Sequence, residues 1–223
     1  MIDMHTHVLP GVDDGAKDEK MARGMLARAK DAGVSTIVCT PHVYRPQDWE
    51  RNRAAFPAAR ALAQEEGMWL LAGSEFNYRV LSKLDIAQLG AFCLAGTRCL
   101  LLEFSNDHLM PGWEPLLSDL ADMGYLTIIA HPERYSYIQR DIEIAQTMLE
   151  LGCELQLDAG GLMAGLFSAE RKIARKMLKE GMVSYIASDA HRPEDYAVFE
   201  KAQRTFRDEW PTENRLLEEL RKK

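Results

Sequence analysis

Histidines and carboxylates stand where several short apolar runs of this sequence end. His5 and His7 follow the first run, and alternate residues of a strand project from the same side, so both imidazoles can bind one ion. Mixed imidazole and carboxylate ligands suit zinc, manganese or iron better than calcium or magnesium. The residues at these run ends are His5, His7, His42, Glu75, Glu103, His131, Asp158, Asp189 and His191.

This set of side chains is large enough to hold two or three metal ions. Two ions roughly 3.5–4 Å apart, bridged by a carboxylate, form a clamp for phosphoryl or acyl hydrolysis. Taken alone, Asp189 could cap a helix, whereas a carboxylate such as Glu103, buried at the end of an apolar run, already suggests a cation as its partner. The repetition of such residues at the ends of successive runs favours a hydrolytic metal centre.

The segments between these polar positions repeat one pattern, in which an amphipathic stretch ends at a glycine and a short apolar run follows. A glycine just past a helix provides its left-handed C-terminal residue, and the runs are too short and too β-branched to be helices. The pattern predicts seven strands, over 1–5, 34–39, 68–71, 98–104, 125–130, 153–157 and 182–187. Helices are predicted near 17–32, 49–66, 79–90, 113–124, 138–151, 168–180 and 193–208, and from about 212 onward.

Strands that alternate with helices predict an α/β protein with a parallel sheet, either closed into a barrel or open. In both arrangements the ligand site lies at the carboxyl ends of the strands, where the histidines and carboxylates fall. No composition shift or flexible linker divides the chain, so we expect a single domain over 1–223.

Composition narrows the class of protein further. The chain is 47% hydrophobic with a net charge of −7, which excludes wholesale disorder, and no Lys/Arg cluster indicates nucleic-acid binding. No apolar run approaches the roughly 20 residues of a membrane span, and no signal peptide is visible, so no membrane insertion is expected. The cysteines contain no C-x-x-C pair, which is typical of reduced thiols in a cytoplasmic protein.

One motif suggests a different chemistry. Cys39 and Arg45 have the C-x5-R spacing of cysteine-dependent tyrosine phosphatases. That mechanism needs a loop of N–H groups around the phosphate and a thiol with a lowered pKa. Here Pro41 lacks an N–H, the loop contains no glycine, and Cys39 belongs to an apolar run. We therefore expect the thiol to take no part in catalysis.

The motifs together resemble the PHP (polymerase and histidinol phosphatase) superfamily, and most closely its bacterial capsular and exopolysaccharide protein-tyrosine phosphatases. The matching segments are Met1–His7, Leu9–Ala16, Thr40–His42, Gly73–Glu75, Leu102–Ser105, Ala130–Tyr135 and Ser188–His191. Asp13-Asp14-Gly15 and the His131-x-Glu-Arg-Tyr135 element are the specific ones, because H-x-H is shared with other metal hydrolases. The resemblance implies a distorted seven-stranded TIM-like (β/α)7 barrel with a trinuclear metal site.

The resemblance also implies which residues bind each ion. His5, His7, Glu75 and Asp189 would hold the first ion, and Glu75 would bridge to a second ion bound by Glu103 and His131. The third ion would be bound by Asp14, His42 and His191. Manganese is the favoured metal, with iron, zinc or cobalt as alternatives. Arg134 would bind phosphate and Asp189 would also serve catalysis, whereas Arg192 is only the best available match for a second arginine because its loop is short.

The implied activity is metal-dependent hydrolysis of phosphotyrosine in proteins. The implied partner is a bacterial tyrosine autokinase of polysaccharide export, whose tyrosine-rich tail would be the substrate, and oligomeric state stays open. The alternatives are a small-molecule phosphatase of the histidinol-phosphate type, a metal-dependent nuclease, and a non-catalytic regulatory module. The absence of a basic groove disfavours a nuclease, and the intact ligand set disfavours a non-catalytic module.

Overall fold

The structure, a computed structural model, describes residues 1–81, 83, 86–212 and 214–222. Within these residues every strand pairing is parallel, and the strands form two sheets, of order β1-β2-β4 and β3-β5-β6-β7-β8-β9. The strands are β1 Ile2–Thr6, β2 Thr36–Cys39, β3 His42–Val43, β4 Trp69–Ala72, β5 Glu75–Asn77, β6 Cys99–Glu103, β7 Leu126–Ala130, β8 Glu154–Asp158 and β9 Tyr185–Ala187. The predicted α/β architecture with parallel strands is confirmed.

The seven predicted strands are all present, but two of them continue beyond a break as a second short strand. β3 follows β2 after Thr40 and Pro41, and Pro41 has no N–H to donate to a neighbouring strand. β5 follows β4 after Gly73 and Ser74, where an added Cβ at Gly73 would lie 2.8 Å from a side-chain carbon of Leu94. The pairing register is the same on both sides of the breaks, so both strand pairs pass from one sheet into the other together.

Backbone hydrogen bonds connect the first strand with the segment that follows the last. Asp189 N donates to His5 O and His7 N donates to Ala190 O, both at 2.9 Å. β1 also contains one more residue than β2 between two paired positions, Asp3 with Ile37 and Thr6 with Cys39. This bulge places Met4 in the inner apolar cluster and still lets His5 face Glu75. A strict alternation along β1 would have put the two residues on opposite faces.

The helices cover the outside of the sheets and close the amino ends of the strands. Their bounds are α1 Glu19–Asp31, α2 Pro46–Glu65, α3 Tyr78–Leu81, α4 Trp113–Asp122, α5 Ser136–Arg140, α6 Glu143–Glu150, α7 Ala159–Met163, α8 Ala169–Lys179, α9 Asp195–Thr205 and α10 Arg215–Arg221. Short 3-10 helices cover Ile86–Phe92, Leu94–Gly96, Pro132–Arg134 and Arg207–Glu209. Within the described residues, no helix combines the length and apolar character needed to cross a bilayer.

Helix boundaries differ from the prediction where polar caps intervene. The helix predicted over 138–151 is divided, because the side chain of Asp141 accepts a hydrogen bond from Glu143 N and starts α6 as a separate helix. α2 begins earlier than predicted, with Pro46 in its first turn. The region predicted as a helix over 79–90 contains α3 and a 3-10 helix, and positions 82, 84 and 85 lie outside the described residues. α7 was not predicted.

Alternate side chains of the strands pack into two apolar clusters. The inner cluster contains Val38, Leu101, Ile128 and Ala187, and Leu216 of α10 joins it from the amino side of the strands. The outer cluster lies between strands and helices and includes Ile37, Leu100, Leu102, Ile129 and Leu155. Burial on both faces explains the near-continuous apolar strands, and it leaves the carboxyl ends as the place where polar side chains collect.

Candidate metal centre

Four side chains from three parts of the chain point ligand atoms at one small space. His5 Nε2 and His7 Nε2 lie 3.2 Å apart, which confirms that the two imidazoles share a side of the strand end. Glu75 Oε2 lies 3.4 Å from each of these nitrogens, and Asp189 Oδ1 lies 3.2 Å from each. Two imidazole nitrogens and two carboxylate oxygens at these separations are a suitable donor set for a divalent transition metal.

The carboxylate oxygens in this space lack the partners that buried oxygens normally have. Glu75 Oε2 and Asp189 Oδ1 are buried and accept no hydrogen bond from the described part of the chain, although histidine nitrogens lie within 3.4 Å. A buried, unpartnered carboxylate oxygen is costly. Each of the two oxygens nevertheless lies 3.2–3.4 Å from both imidazole nitrogens, as atoms that share one bound ion would. The residues present therefore fit a bound cation.

A second group of ligand atoms adjoins the first on its more open side. Asp14 Oδ1 lies 3.4 Å from both His42 Nε2 and His191 Nε2, and His7 brings a further nitrogen within the same 4.8 Å cluster. The Asp14 side chain is 70% exposed, whereas His42 and His191 are half-buried. The three residues expected to bind a third ion are thus brought together at the mouth of the site.

A third group overlaps the first through Glu75. Ligand atoms of His42, Glu75 and Glu103 lie within 4.8 Å of one another. His131, which the resemblance places with Glu75 and Glu103, instead has its Nε2 2.7 Å from Glu75 Oε1. Asn77 donates a hydrogen bond of 3.2 Å to Glu103 and orients that carboxylate. All nine residues expected to bind metal therefore lie at one centre, with Glu75 shared between groups as a bridging carboxylate would be.

Two residues that the sequence analysis did not assign a role hold the central imidazoles from behind. His5 Nδ1 donates to Gln156 Oε1 and His7 Nδ1 donates to a carboxylate oxygen of Asp13, each at 2.8 Å. Since each acceptor takes the proton on Nδ1, Nε2 of both rings is directed at the ligand space as a lone pair. In the sequence, the one indication of this role for Gln156 is that a glutamine lies inside an otherwise apolar strand. Asp13 belongs to the Asp13-Asp14-Gly15 element on which the family resemblance rests.

The carboxylates make the centre favour positive charge. Burial alone would lower the pKa of His7, but the hydrogen bond to Asp13 and the nearby carboxylates of Asp189 and Glu75 raise that pKa well above its usual value. The pKa of His42 is raised to about 10, because Glu75 and Asp14 outweigh the effect of burial. Burial would raise the pKa of Glu75, yet the surrounding histidines hold it well below its usual value. An anionic cluster of this kind is complementary to divalent cations.

Two ligand candidates sit on strained backbone. His131 has φ +33° and Asp189 has φ +45°, in the left-handed region that residues other than glycine seldom occupy. Such conformations cost on the order of 1–3 kcal/mol each and persist where surrounding structure holds them. Here the backbone of Asp189 is held by its hydrogen bond to His5 O, and His131 is followed by the rigid ring of Pro132.

The two arginines expected to bind phosphate have different surroundings. Arg134 Nη2 lies 2.6 Å from Asp189 Oδ2 and 2.5 Å from Asp158 Oδ2, so its guanidinium adjoins the first ligand group. Its side chain is 32% exposed and carries more N–H donors than these contacts use. Arg192 is 67% exposed and lies 3.9 Å from Asp195. It borders a cavity that Asp14 and His191 also line, at the outer edge of the centre.

His108, the remaining histidine, is exposed in the loop that follows β6. The buried Glu133 accepts a hydrogen bond from Asp158 N, and with Asp158 and Glu170 it forms a carboxylate group around Arg134. This group adjoins the centre from the α8 side, because Glu170 lies 3.9 Å from Arg134 Nε.

The fold and the site together define the class of this protein. It is an α/β protein of parallel strands with a candidate multinuclear metal centre at their carboxyl ends. The family described as "Capsular polysaccharide synthesis, CpsB/CapC" matches residues 1–204. The chain therefore belongs to the CpsB/CapC family, which confirms the resemblance read from its motifs.

Curated relatives agree with this membership. The tyrosine-protein phosphatase YwqE of Bacillus subtilis is 33% identical over 197 residues, which cover 86% of this chain and 77% of the relative. The tyrosine-protein phosphatase CpsB of Streptococcus pneumoniae is 29% identical over 204 residues, which cover 86% of this chain and 83% of the relative.

Solved structures share the fold. A chain from the crystal structures of YwqE from B. subtilis and CpsB from S. pneumoniae, described as unique metal-dependent tyrosine phosphatases, aligns with a TM-score of 0.74 at 28% identity. The alignment covers 90% of this chain and 87% of the other. Histidinol phosphate phosphatase from Lactococcus lactis aligns with a TM-score of 0.54 at 13% identity and 92% coverage of both chains, a likeness of fold alone.

The environment of Cys39 yields a prediction about the C-x5-R motif. The Cys39 side chain is 1% exposed, and burial raises the pKa of its thiol to about 12, so the thiolate nucleophile does not form near neutral pH. We expect Cys39→Ser to keep phosphatase activity within about threefold of the parent once the two are matched for folded protein by thermal melting. Cys153→Ser, at another buried cysteine, is the matched control. Loss of turnover in folded Cys39→Ser alone would restore the cysteine mechanism.

Proposed function

We propose that this protein is a metal-dependent phosphatase that hydrolyses phosphotyrosine in proteins. The observation that carries the proposal is the convergence of His5, His7, Glu75 and Asp189 on one space, with Arg134 paired to the outer oxygen of Asp189. Membership of the CpsB/CapC family and the names of its tyrosine-phosphatase relatives support the substrate class.

Each part of the site has a role in phosphate-ester hydrolysis. We propose that His5, His7, Glu75 and Asp189 would hold one ion, that Glu75, Glu103 and His131 would hold a second, and that Asp14, His42 and His191 would hold a third. When bound, divalent ions supply Lewis-acid stabilisation of the phosphoryl oxygens and a nucleophile from water at neutral pH.

Arg134 positions the phosphoryl group and neutralises charge that develops on its oxygens. Its contacts with Asp158 and Asp189 fix the guanidinium beside the ligands before substrate arrives, which is the preorganisation that favours a charged transition state. Asp13 and Gln156 keep the two central imidazoles oriented. A tyrosine leaving group, with a pKa of about 10, needs less protonation than the alkoxide of serine.

We infer that the two sheets close into one distorted barrel of seven strand positions within a single domain over 1–223, since hydrogen bonds join β1 to the segment after β9. Manganese is the proposed metal. The proposed substrate is the tyrosine-rich tail of a bacterial tyrosine autokinase of polysaccharide export, and the proposed location of this protein is the cytoplasm.

Metal removal tests the proposal directly. Dialysis against a strong chelator should lower phosphotyrosine-peptide hydrolysis at least 100-fold, and added Mn²⁺ should restore it, because the assigned ligands hold the groups that activate water. Activity is measured by phosphate release, and elemental analysis before dialysis should find more than one transition-metal equivalent per chain.

Circular dichroism of the chelated protein separates loss of metal from loss of fold, since the two can be coupled. Full activity in folded protein with no bound metal would contradict the proposal. Histidinol phosphate and single-stranded DNA, tested on the same metal-loaded sample, address the alternative substrates, and faster turnover of either than of the phosphotyrosine peptide would replace the assigned substrate class.

The two arginines provide a matched pair of variants. Arg134→Ala should reduce kcat/KM for a phosphotyrosine peptide about 10²–10³-fold, the usual loss for one preorganised contact to a developing charge. Arg192→Ala should cost less than about tenfold, because its side chain is exposed at the rim. Melting temperatures check that both variants fold. A larger loss in Arg192→Ala than in Arg134→Ala would show that the phosphate binds on the Asp14 side.

A further inference from the structure

The turn between α7 and α8 exposes two large apolar side chains. Leu166 is 75% exposed and Phe167 is 101% exposed, so the phenyl ring of Phe167 is fully surrounded by solvent. The two residues occupy the centre of a β-turn, in which Ser168 N donates to Gly165 O at 2.9 Å. Such positions usually carry glycine, proline, asparagine, aspartate or serine. Neither the core nor the metal centre accounts for a leucine and a phenylalanine there.

The turn is anchored rather than loosely connected. Arg171 Nη1 donates to Ala164 O at 2.9 Å, and the Ser168 side chain accepts from Arg171 N at 3.1 Å as the N-cap of α8. These bonds fix both ends of the turn to the first residues of α8. A turn whose backbone is already fixed loses little backbone freedom when a partner covers its side chains.

The turn lies on the same edge of the sheets as the metal centre. α7 follows β8 directly, and Glu170 at the start of α8 lies 3.9 Å from Arg134 Nε. Phe167 precedes Glu170 by three residues, and three residues span at most about 11 Å. The path from Phe167 to Arg134 thus consists of three residues of backbone and the Glu170–Arg134 contact, which brings the apolar pair within reach of residues a few positions from a phosphotyrosine held by Arg134.

We propose that Leu166 and Phe167 bind an apolar or aromatic side chain that flanks the phosphotyrosine of the protein substrate. This inference rests on the proposed function, because only a peptide substrate brings flanking residues to the site. An extended peptide advances about 3.3 Å per residue, so the contact falls on residues about three or four positions from the phosphotyrosine. The position of the turn, at the edge of the metal centre and near Arg134, favours a substrate residue over a bilayer as its partner.

Steady-state kinetics with three substrates tests the inference. One phosphotyrosine peptide has leucine or tyrosine at positions three and four from the phosphotyrosine, the second has serine there, and p-nitrophenyl phosphate has no flanking residues. For the parent protein loaded with Mn²⁺, KM should be roughly 5- to 30-fold lower for the apolar peptide than for the serine peptide, the scale of one anchor residue in an interface. This comparison needs no variant to fold.

The variant Leu166→Ser/Phe167→Ser should remove that preference and leave turnover of p-nitrophenyl phosphate unchanged. Trp69→Ser is the matched control, because Trp69 is 67% exposed at the start of β4, on the opposite edge of the sheets. It should retain the preference. Equal KM values for the two peptides with the parent protein, or an undiminished preference in the double variant, would overturn the inference.

Failure of the proposed function gives a different result. In that case metal-loaded parent protein hydrolyses neither the peptides nor p-nitrophenyl phosphate. Sedimentation velocity and flotation with phosphatidylglycerol vesicles cover the other occupants of the turn. Self-association or vesicle binding that the double variant abolishes, with peptide KM unchanged, would assign the turn to a second copy of the chain or to a membrane and refute peptide binding.

Discussion

The structure depends on one buried carboxylate. Glu75 is 1% exposed and lies against four histidines, with Oε1 2.7 Å from His131 Nε2 and Oε2 2.7 Å from His42 Nδ1 and 3.4 Å from His5 and His7. A carboxylate removed from water in this way is costly unless positive charge compensates it. The histidines lower its pKa, and its Oε2, without a hydrogen bond among the described residues, indicates that a cation completes the arrangement.

The backbone is shaped to bring those partners to Glu75. β3 and β5 are short continuations of longer strands, and their pairing sets His42 directly beside Glu75. The bulge in β1 turns His5 toward Glu75. The left-handed backbone at Asp189 is held by the hydrogen bond that Asp189 N donates to His5 O. Each of these irregularities weakens regular strand structure, and each occurs at a proposed ligand, as expected where local strain serves a site.

The sequence was sufficient for the parallel α/β class, for the seven principal strands and for the residues at their carboxyl ends, because hydrophobic period and glycine position are local signals. The sequence did not predict features that depend on contacts between residues far apart in the chain. The bulge in β1 depends on its pairing with β2, and the role of Gln156 depends on His5, which lies 151 residues away in the chain. The different settings of Arg134 and Arg192 likewise follow from their contacts with Asp189 and Asp195.

The central claim is that the cluster around Glu75 binds catalytic metal, and anomalous diffraction from crystals of active, manganese-loaded protein tests it most directly. Data collected at the manganese absorption edge should show a peak within about 2.0–2.3 Å of His5 Nε2, His7 Nε2 and Glu75 Oε2, as expected for nitrogen and oxygen ligands of a divalent ion. Further peaks are expected beside Glu103 and between Asp14 and His191. An anomalous map with no peak in this cluster, from protein that hydrolyses phosphotyrosine in the same buffer, would contradict the account.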